Sequence, residues 1–474
     1  MAFPRRHSIG WFFLVLFVLA AFPKANALPA FARKYGLRCS ACHEAWPMLN
    51  YFGQKFKDNG YQLMNDRDSP VWQNPSYWPV TFRITPYWHR ESTDKVALDA
   101  TPQAVPGTYP QVERQVNDQG FDLSGLDFHT GGTLEKNISF YVLPSSDPTS
   151  AFHFETVMAR LDNLADSPWL NLKLGRFELD NLISEKRILT LTTWSGVYQT
   201  YHFIPQGDAN IFGQIGDNQL GLEYLGHSVD DRTRISAALI STSDGNVNLV
   251  TSNSYSGFFT ASQAFDAGKL GVERLGMYAM VGAAPITYMT SGGVPVPGTG
   301  TNSKDFYRVG FVGQIYLGNL DFQVLTQHGY DNIWFGQGFG NATNPDGNGT
   351  ACGAPSNPTC LPNAVAGTVL PATARAPTWN GYMVETHYVY NPQLIFIQRS
   401  EWERMSQQAS TTFPSNFGNI DMYTFAVRWM PFMNPRAGFA FHDEYSWFRQ
   451  RGTSPLTGTD VTSSSLLLGI DFDF

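Results

Sequence analysis

The amino-acid sequence predicts an all-β transmembrane barrel of about 16 antiparallel strands, preceded by a small α-helical segment. Three observations lead to this prediction. Many short stretches alternate apolar and polar residues, the period of a strand with one face toward lipid. Beyond residue 27 no apolar run reaches 18 residues, which excludes helical membrane spans. Aromatic residues make up 14% of the chain and charged residues only 15%, a balance compatible with a lipid-facing surface.

Residues 1–27 are predicted to be a secretory signal peptide. A basic start is followed by an apolar run over positions 9–22 and by small residues at positions 25–27. The apolar run is short for a membrane span, and it stops before the small residues that suit cleavage. The mature chain is therefore expected to begin at Leu28.

The acidic balance of the chain excludes one class of partner. The predicted signal contains three of the 32 basic residues and no acidic ones, so the mature chain has 29 basic and 40 acidic residues. Its net charge is therefore −11, counted with neutral histidines. Nucleic-acid binding requires a basic surface, so no nucleic acid is expected as a partner.

The four cysteines fall into two local pairs. Cys352 and Cys360 bound a stretch rich in Gly, Asn and Pro, with no histidine near them in sequence. In an exported protein this spacing predicts a disulfide that closes a long loop. The other pair, Cys39 and Cys42, is followed directly by His43.

The pattern Cys39-x-x-Cys42-His43 predicts covalent attachment of one c-type haem. The two thiols form thioethers with the haem, and His43 takes one axial position on the iron. A redox dithiol is disfavoured because no βαβ setting surrounds the motif. A zinc site is disfavoured because no second ligand pair follows at matching spacing.

The sequence offers several candidates for the second axial ligand of the iron. Met64 lies just past the predicted helix and is favoured, while His89 lies on the first predicted strand. Met48, five residues after His43, and an open site are the remaining alternatives. The choice matters because methionine ligation raises the reduction potential relative to two histidines.

The segment around the motif is expected to use the haem as its core. Pro47 suits the first turn of a helix and Gly60 its end. Between them Met48, Leu49, Phe52 and Phe56 recur at helical spacing and form one apolar face, of which Leu49, Phe52 and Phe56 are the candidates for haem contact. Because so short a segment lacks a sufficient core of its own, these three residues are expected to pack around the porphyrin.

Residues 28–78 are assigned to this front segment and residues 79–474 to the barrel. The last strand is the clearest, because five apolar residues alternate with polar ones and glycine up to the terminal Phe474. The predicted strands are 80–90, 119–133, 137–144, 151–161, 168–178, 218–227, 232–242, 254–266, 269–284, 305–317, 320–331, 379–390, 393–404, 421–430, 436–449 and 464–474.

The connections between these strands alternate between short and long, as in single-chain bacterial barrels with both chain ends in the periplasm. Residues 197–203 are left in the long loop 179–217, because a further strand would break the alternation. That loop can fold into the lumen. Since the linker to the first strand is short, the front segment is expected to plug the lumen, with Arg83, Tyr87 and His89 pointing inward.

These features resemble the fused monohaem outer-membrane cytochrome–porin family, whose best-known member is the bacterial outer-membrane iron oxidase. The resemblance implies one haem c inside a barrel and transfer of electrons from extracellular Fe(II) to a periplasmic cytochrome or other carrier. Glu44, Trp46 and Met48 depart from the family pattern. The matching residues are Phe31-Ala32-Arg33, Gly36, Cys39, Cys42, His43, Pro47, Leu49, Phe52-Gly53, Phe56 and Gly60-Tyr61.

Three functions are compatible with this combination in the bacterial outer membrane. The leading hypothesis is an electron-transfer protein that oxidises Fe(II), because a single haem passes one electron at a time. The second is the same conduit run outward to an extracellular acceptor. The third is a diffusion porin whose haem segment is a structural or gating plug. Nothing in the sequence identifies an oligomer interface.

Overall fold

The structure of the protein is a computed structural model. The predicted signal peptide, Cys352 and Phe474 lie outside the residues that it describes, as does the side chain of Cys360, so the predicted disulfide falls outside them too. The described residues are 30–45, 48–64, 68–73, 79–101, 110–146, 152–183, 199–202, 215, 218–241, 255–285, 289–291, 294–296, 303–330, 360–362, 369–371, 378–405, 419–433, 438–452, 454 and 456–473.

Three short helices build the front segment. They are α1, Ala30–Tyr35, α2, Cys39–Cys42, and α3, Tyr51–Asp58. Between α2 and α3 the chain forms a small antiparallel pair of His43–Ala45 with Met48–Leu49. The C-x-x-C-H motif thus lies on a helical turn that leads directly into this pair.

The helix α3 begins later than predicted. Asn50 is its N-cap, and the side-chain oxygen of Asn50 accepts a hydrogen bond from the backbone N–H of Gly53. Met48 and Leu49 precede this cap and form backbone pairs with the strand after the motif, so neither lies on the helix. The end is as predicted, since Gly60 adopts a positive φ of 73° just beyond the last turn.

The barrel consists of sixteen antiparallel strands, as predicted. Each strand pairs with its neighbours in sequence, and β16 pairs with β1 to close the ring. The strands β1 to β16 are Val80–Asp99, Gln111–Glu135, Ile138–Ser146, His153–Leu161, Asn171–Phe177, Gln219–His227, Thr233–Ser241, Tyr255–Asp266, Val272–Pro285, Ser303–Leu317, Leu320–Tyr330, Thr378–Asn391, Leu394–Met405, Ile420–Met433, Gly438–Gln450 and Val461–Asp473.

The strands β1 and β2 are longer than predicted, by nine residues at the end of β1 and eight at the start of β2. Trp88 pairs with Phe121 at the limit of the alternating pattern. Directly beyond that pair most residues are polar and the apolar–polar alternation stops, while the backbone ladder continues to Asp99 and Gln111. Ladder hydrogen bonds need no apolar face, so periodicity alone ends these strands too early.

The two faces of the wall differ as a membrane barrel requires. On neighbouring strands Leu174 and Leu222 are exposed on the outside, whereas Lys173 and Glu223 are buried on the inside. An apolar outer band on a closed ring leaves no backbone group without a partner in lipid. The protein is therefore located in the bacterial outer membrane. Among the described residues, no helix is both long and apolar enough to span a bilayer.

The connections place both chain ends on one side of the membrane. All but one of the connections that follow an even-numbered strand contain two to five residues. The connections after odd-numbered strands are mostly longer, with the longest between β11 and β12. The start of β1 and the end of β16 lie at the short-turn end, which is the periplasmic end in bacterial barrels.

Candidate functional site

The turn that carries the C-x-x-C-H motif is held by the start of α3. The side-chain amide of Asn50 donates to the carbonyl of Ala41 at 3.1 Å, and its backbone N–H donates to the carbonyl of Cys42 at 2.9 Å. Gly53 lies under the same carbonyl, where an added Cβ would approach the oxygen of Cys42 to 2.1 Å. This close approach explains why glycine occupies position 53.

The front segment contacts inward-facing side chains on widely separated strands. The backbone N–H of Ala30 donates to Thr81 of β1 at 3.2 Å. The side chain of Gln323 on β11 donates to the sulfur of Met48 at 2.7 Å, and Met48 packs against Ile397 and Met430 of β13 and β14. A segment of this length reaches opposite walls of a ring only from within it.

The C-terminal end of α3 is bound by arginines of the wall. Arg160 of β4 donates to the backbone carbonyls of Lys57 and Asp58 at 2.7 and 3.0 Å. These carbonyls carry the negative end of the helix dipole, so a cation there is favourable. Arg160 also forms an ion pair with Asp162, and an added Cβ at Gly60 would collide with that carboxylate.

The predicted porphyrin-packing residues are distributed over three environments. Phe56 is buried in an aromatic cluster, with ring centroids 5.4 Å from Phe31 and 5.5 Å from Tyr35. Phe52 is 41% exposed, while Leu49 lines a cavity. The front segment thus has an aromatic core of its own, which the sequence analysis did not predict.

The cavity lies beside the motif and is formed by three parts of the chain. Asn50, which binds the motif turn, lies on its wall next to Leu49 and Tyr51. The connection between β5 and β6 contributes apolar side chains, and strands β9 to β11 contribute polar ones. Its other lining residues are Met48, Gln54, Leu182, Ile183, Val272, Arg274, Gln314, Tyr316 and Gln323.

The composition of this cavity fits a haem c. A haem has an apolar macrocycle and two propionates, and the cavity lining combines the apolar side chains of Leu49, Leu182 and Ile183 with Arg274, which also pairs with Asp231. The match is one of residue chemistry, because the cavity has a volume of only about 30 Å³ and must widen to hold a macrocycle. His43 pairs with Leu49 in the small strand pair, so the predicted axial ligand is adjacent to the cavity wall. Cys42 and His43 are both half-buried, and the side chain of Cys39 lies outside the described residues.

The three candidates for the second axial ligand lie in different surroundings. Met64 is 54% exposed and has a left-handed backbone. Met48 is buried against the wall of the barrel. His89 points inward as predicted and lies 3.6 Å from a carboxylate oxygen of Glu91 on its own strand. The choice among them stays a prediction.

Glu44 follows the predicted axial ligand directly and enters a buried polar cluster. Burial raises the pKa of Glu44 to about 8, and repulsion from Asp321 adds to the shift. The hydroxyl of Tyr316 opposes it through a hydrogen bond. Asp321 in turn binds His387, which is also bound by Glu385. In the described part of the chain no group of three or more His, Cys, Asp or Glu side chains is arranged to hold a metal ion.

The described parts of the connection between β5 and β6 contact the inner wall at two separate places, in agreement with the prediction that this loop folds into the lumen. One described part is a short helix α4, Gln199–His202, within the stretch 197–203 that is predicted to be loop and not strand. The hydroxyl of Thr200 donates to Glu403 on β13 at 2.7 Å, and Gln327 on β11 donates to the carbonyl of Thr200. At its beginning, the same connection is bound through Asp180 to the strand β6.

Comparison with protein-family models and with curated proteins finds no match. Solved structures of similar architecture include the outer-membrane channel DcaP of Acinetobacter baumannii, at 10% identity and a TM-score of 0.45, covering 83% of this chain and 97% of that one. The trimer form of OmpT of Vibrio cholerae shares 7% identity at a TM-score of 0.42, covering 83% and 99%. OmpF of Salmonella typhi, in complex with daunomycin, shares 9% at 0.42, covering 83% and 97%.

Proposed function

We propose that the protein is an outer-membrane electron conduit in which a barrel of porin architecture holds one haem c. Cys39 and Cys42 would hold this haem covalently, and His43 would bind its iron. Electrons enter from extracellular Fe(II) and leave to a periplasmic cytochrome or another carrier. The observation that carries this proposal is that the front segment, which bears the motif turn, contacts inward-facing side chains on several strands of the ring.

The residues of the chain have distinct tasks in this proposal. The hydrogen bonds of Asn50 orient the turn that presents the thiols and His43. Leu182 and Ile183 give the cavity an apolar wall, and Arg274, which also pairs with Asp231, gives it a cation. When bound, a haem c supplies one-electron chemistry at a depth where lipid blocks both ions and electrons.

A second candidate is a diffusion porin whose front segment is a structural plug. A closed barrel of sixteen strands is wide enough for an aqueous channel. The barrel taken alone supports this candidate more directly than it supports electron transfer. The contacts of the front segment and of α4 with the inner wall favour the conduit, because they occupy the space that solutes need.

Stopped-flow reduction of the purified holoprotein by Fe(II) tests the proposal. We expect a haem c absorption spectrum and rapid reduction by Fe(II). His43→Ala should keep the haem covalently attached but change its absorption spectrum and its rate of reduction by Fe(II). Cys39→Ala should lower the haem content. A holoprotein that Fe(II) does not reduce would remove extracellular iron as the donor.

Two further measurements separate the candidate functions. A midpoint potential well below that of the Fe(III)/Fe(II) couple at the working pH would favour the outward conduit. Planar-bilayer recordings decide between a conduit and a porin. Large ion currents through the haem-loaded protein would favour the diffusion porin, and the absence of a measurable current would favour the conduit.

A further inference from the structure

Arg234 of β7 is a buried arginine that binds three parts of the chain at once. Its Nε lies 2.7 Å from a carboxylate oxygen of Asp58 in α3. Its Nη2 lies 3.0 Å from Asp180, at the beginning of the connection between β5 and β6. A third carboxylate, Asp231 in the turn before β7, is 3.8 Å away. The front segment and the connection between β5 and β6 therefore share one cation of the wall.

The distances show which carboxylates Arg234 serves. Asp231 has a second cation, because Nη2 of Arg274 lies 3.4 Å from its carboxylate. The short contacts of Arg234 go instead to Asp58 and Asp180, and both are bound through two guanidinium–oxygen contacts. The planar guanidinium suits this arrangement, since its fork binds two carboxylates with fixed geometry.

Neighbouring contacts join the same two elements. Lys57 precedes Asp58, and its Nζ lies 3.9 Å from the carboxylate of Glu178, which is two residues before Asp180. The backbone N–H of Asp180 donates to Glu223 of β6 at 2.9 Å. From here the connection continues to the cavity beside the motif, where it contributes Leu182 and Ile183. Displacing it at Asp180 therefore moves one wall of that cavity.

We propose that Arg234, Asp58 and Asp180 form a latch that keeps the interior of the barrel closed to ions. The latch holds the front segment and the beginning of the connection between β5 and β6, residues 178–183, together, so that neither moves without the other. This inference deepens the proposed function, because it rests on the front segment acting as a plug. Breaking the latch converts a closed barrel into an ion channel without removing the covalent haem.

The test compares ion currents of haem-loaded full-length variants in planar bilayers. Arg234→Gln is expected to raise the mean current by about ten-fold or more, because it leaves two buried carboxylates without their cation. Asp58→Asn and Asp180→Asn should each give a smaller rise. The double variant Asp58→Asn/Asp180→Asn should not exceed Arg234→Gln, because all three changes act on one latch.

A matched control is Arg428→Gln. Arg428 is a buried arginine of β14, and its Nε lies 3.0 Å from Asp471 of β16, so that this ion pair stays within the wall. Its replacement should leave the current unchanged. Heat-modified gel migration shows that each barrel is folded, and the absorption spectrum shows that each carries haem.

The outcomes separate the latch from the proposed function. The current of the wild-type protein and its reduction by Fe(II) test the function, whereas the ratio of variant to wild-type current tests the latch. A folded Arg234→Gln variant with a wild-type current would overturn the latch. If that variant does not fold, unchanged currents in both Asp58→Asn and Asp180→Asn would overturn it.

Discussion

The front segment is bound to the barrel in two different ways on two sides of the lumen. Toward β4 and β7, Arg160 and Arg234 bind the end of α3 through ion pairs and carbonyl contacts. Toward β11 and β13 to β15, Met48 lies in an apolar cluster with side chains of the wall and accepts one hydrogen bond from Gln323 of β11. One side is ionic and directional, and the other is apolar and adaptable.

This difference assigns different roles to the two sides. A buried guanidinium left without its carboxylate is strongly unfavourable, so the ionic side permits only one position of α3. A methionine adapts its shape to a neighbouring surface, so the apolar side contributes burial without fixing the register. We therefore expect the ionic side to determine the position of the motif turn. The apolar side should contribute binding free energy through burial.

The largest effect is expected from Arg160→Ala. This change removes the donors to two helix carbonyls and leaves the buried carboxylate of Asp162 without its cation, at a cost of about 3–5 kcal/mol. Limited proteolysis measures release of the front segment, because cleavage before β1 separates the haem-stained peptide from the barrel. Cleavage should be much faster than in the wild type. Equal rates would show that the ionic side does not hold the segment.

A smaller effect is expected from Met48→Ala on the apolar side. The truncation leaves a cavity against Ile397 and Met430 and costs about 2–4 kcal/mol in the same proteolysis assay. Met48→Leu keeps the volume and should cost less than about 1.5 kcal/mol. If Met48 were the second axial ligand, both variants would also change the absorption spectrum of the haem-loaded protein.

Gly53→Ala tests the coupling of α3 to the motif turn. An added methyl group would meet the carbonyl oxygen of Cys42 at 2.1 Å, so the turn must shift, at a cost of about 1–3 kcal/mol. The expected result is a lower ratio of covalent haem to protein. Gly120→Ala is the control, since an added Cβ there has no heavy atom within 4 Å. A normal haem ratio in Gly53→Ala would contradict the observed packing.

The barrel strands could be predicted from the sequence where one face contacts lipid and the other water, because the two faces then differ in polarity. In β16 the exposed Phe472 lies between the buried Asp471 and Asp473, and the register follows from this alternation. The far ends of β1 and β2 lack that regular alternation, so the sequence pattern does not predict them. The motif was found for another reason, because covalent chemistry demands cysteine and histidine at a fixed spacing.

The partners of the front segment could not be predicted from the sequence. The alternating pattern places Arg234 on the inner face, but Lys173, Glu223 and Glu385 share that property. Which of them meets Asp58 depends on the docking of a segment 176 residues away in the chain. By contrast, the start of α3 could have been predicted from the sequence, since asparagine, here Asn50, is a preferred N-cap residue.

The smallest effect is expected from Lys57→Ala, which tests how far charge alone defines the ionic side. Lys57 lies 3.9 Å from Glu178, and both side chains are partly exposed at 18%. Such a pair contributes about 0–1 kcal/mol, because water screens it and long side chains lose entropy on pairing. Front-segment cleavage should stay close to the wild-type rate and far below that of Arg160→Ala. If Lys57→Ala released the front segment as fast as Arg160→Ala, the ionic side would act through long-range attraction. The hydrogen-bond geometry of the arginines would then not determine the position of α3.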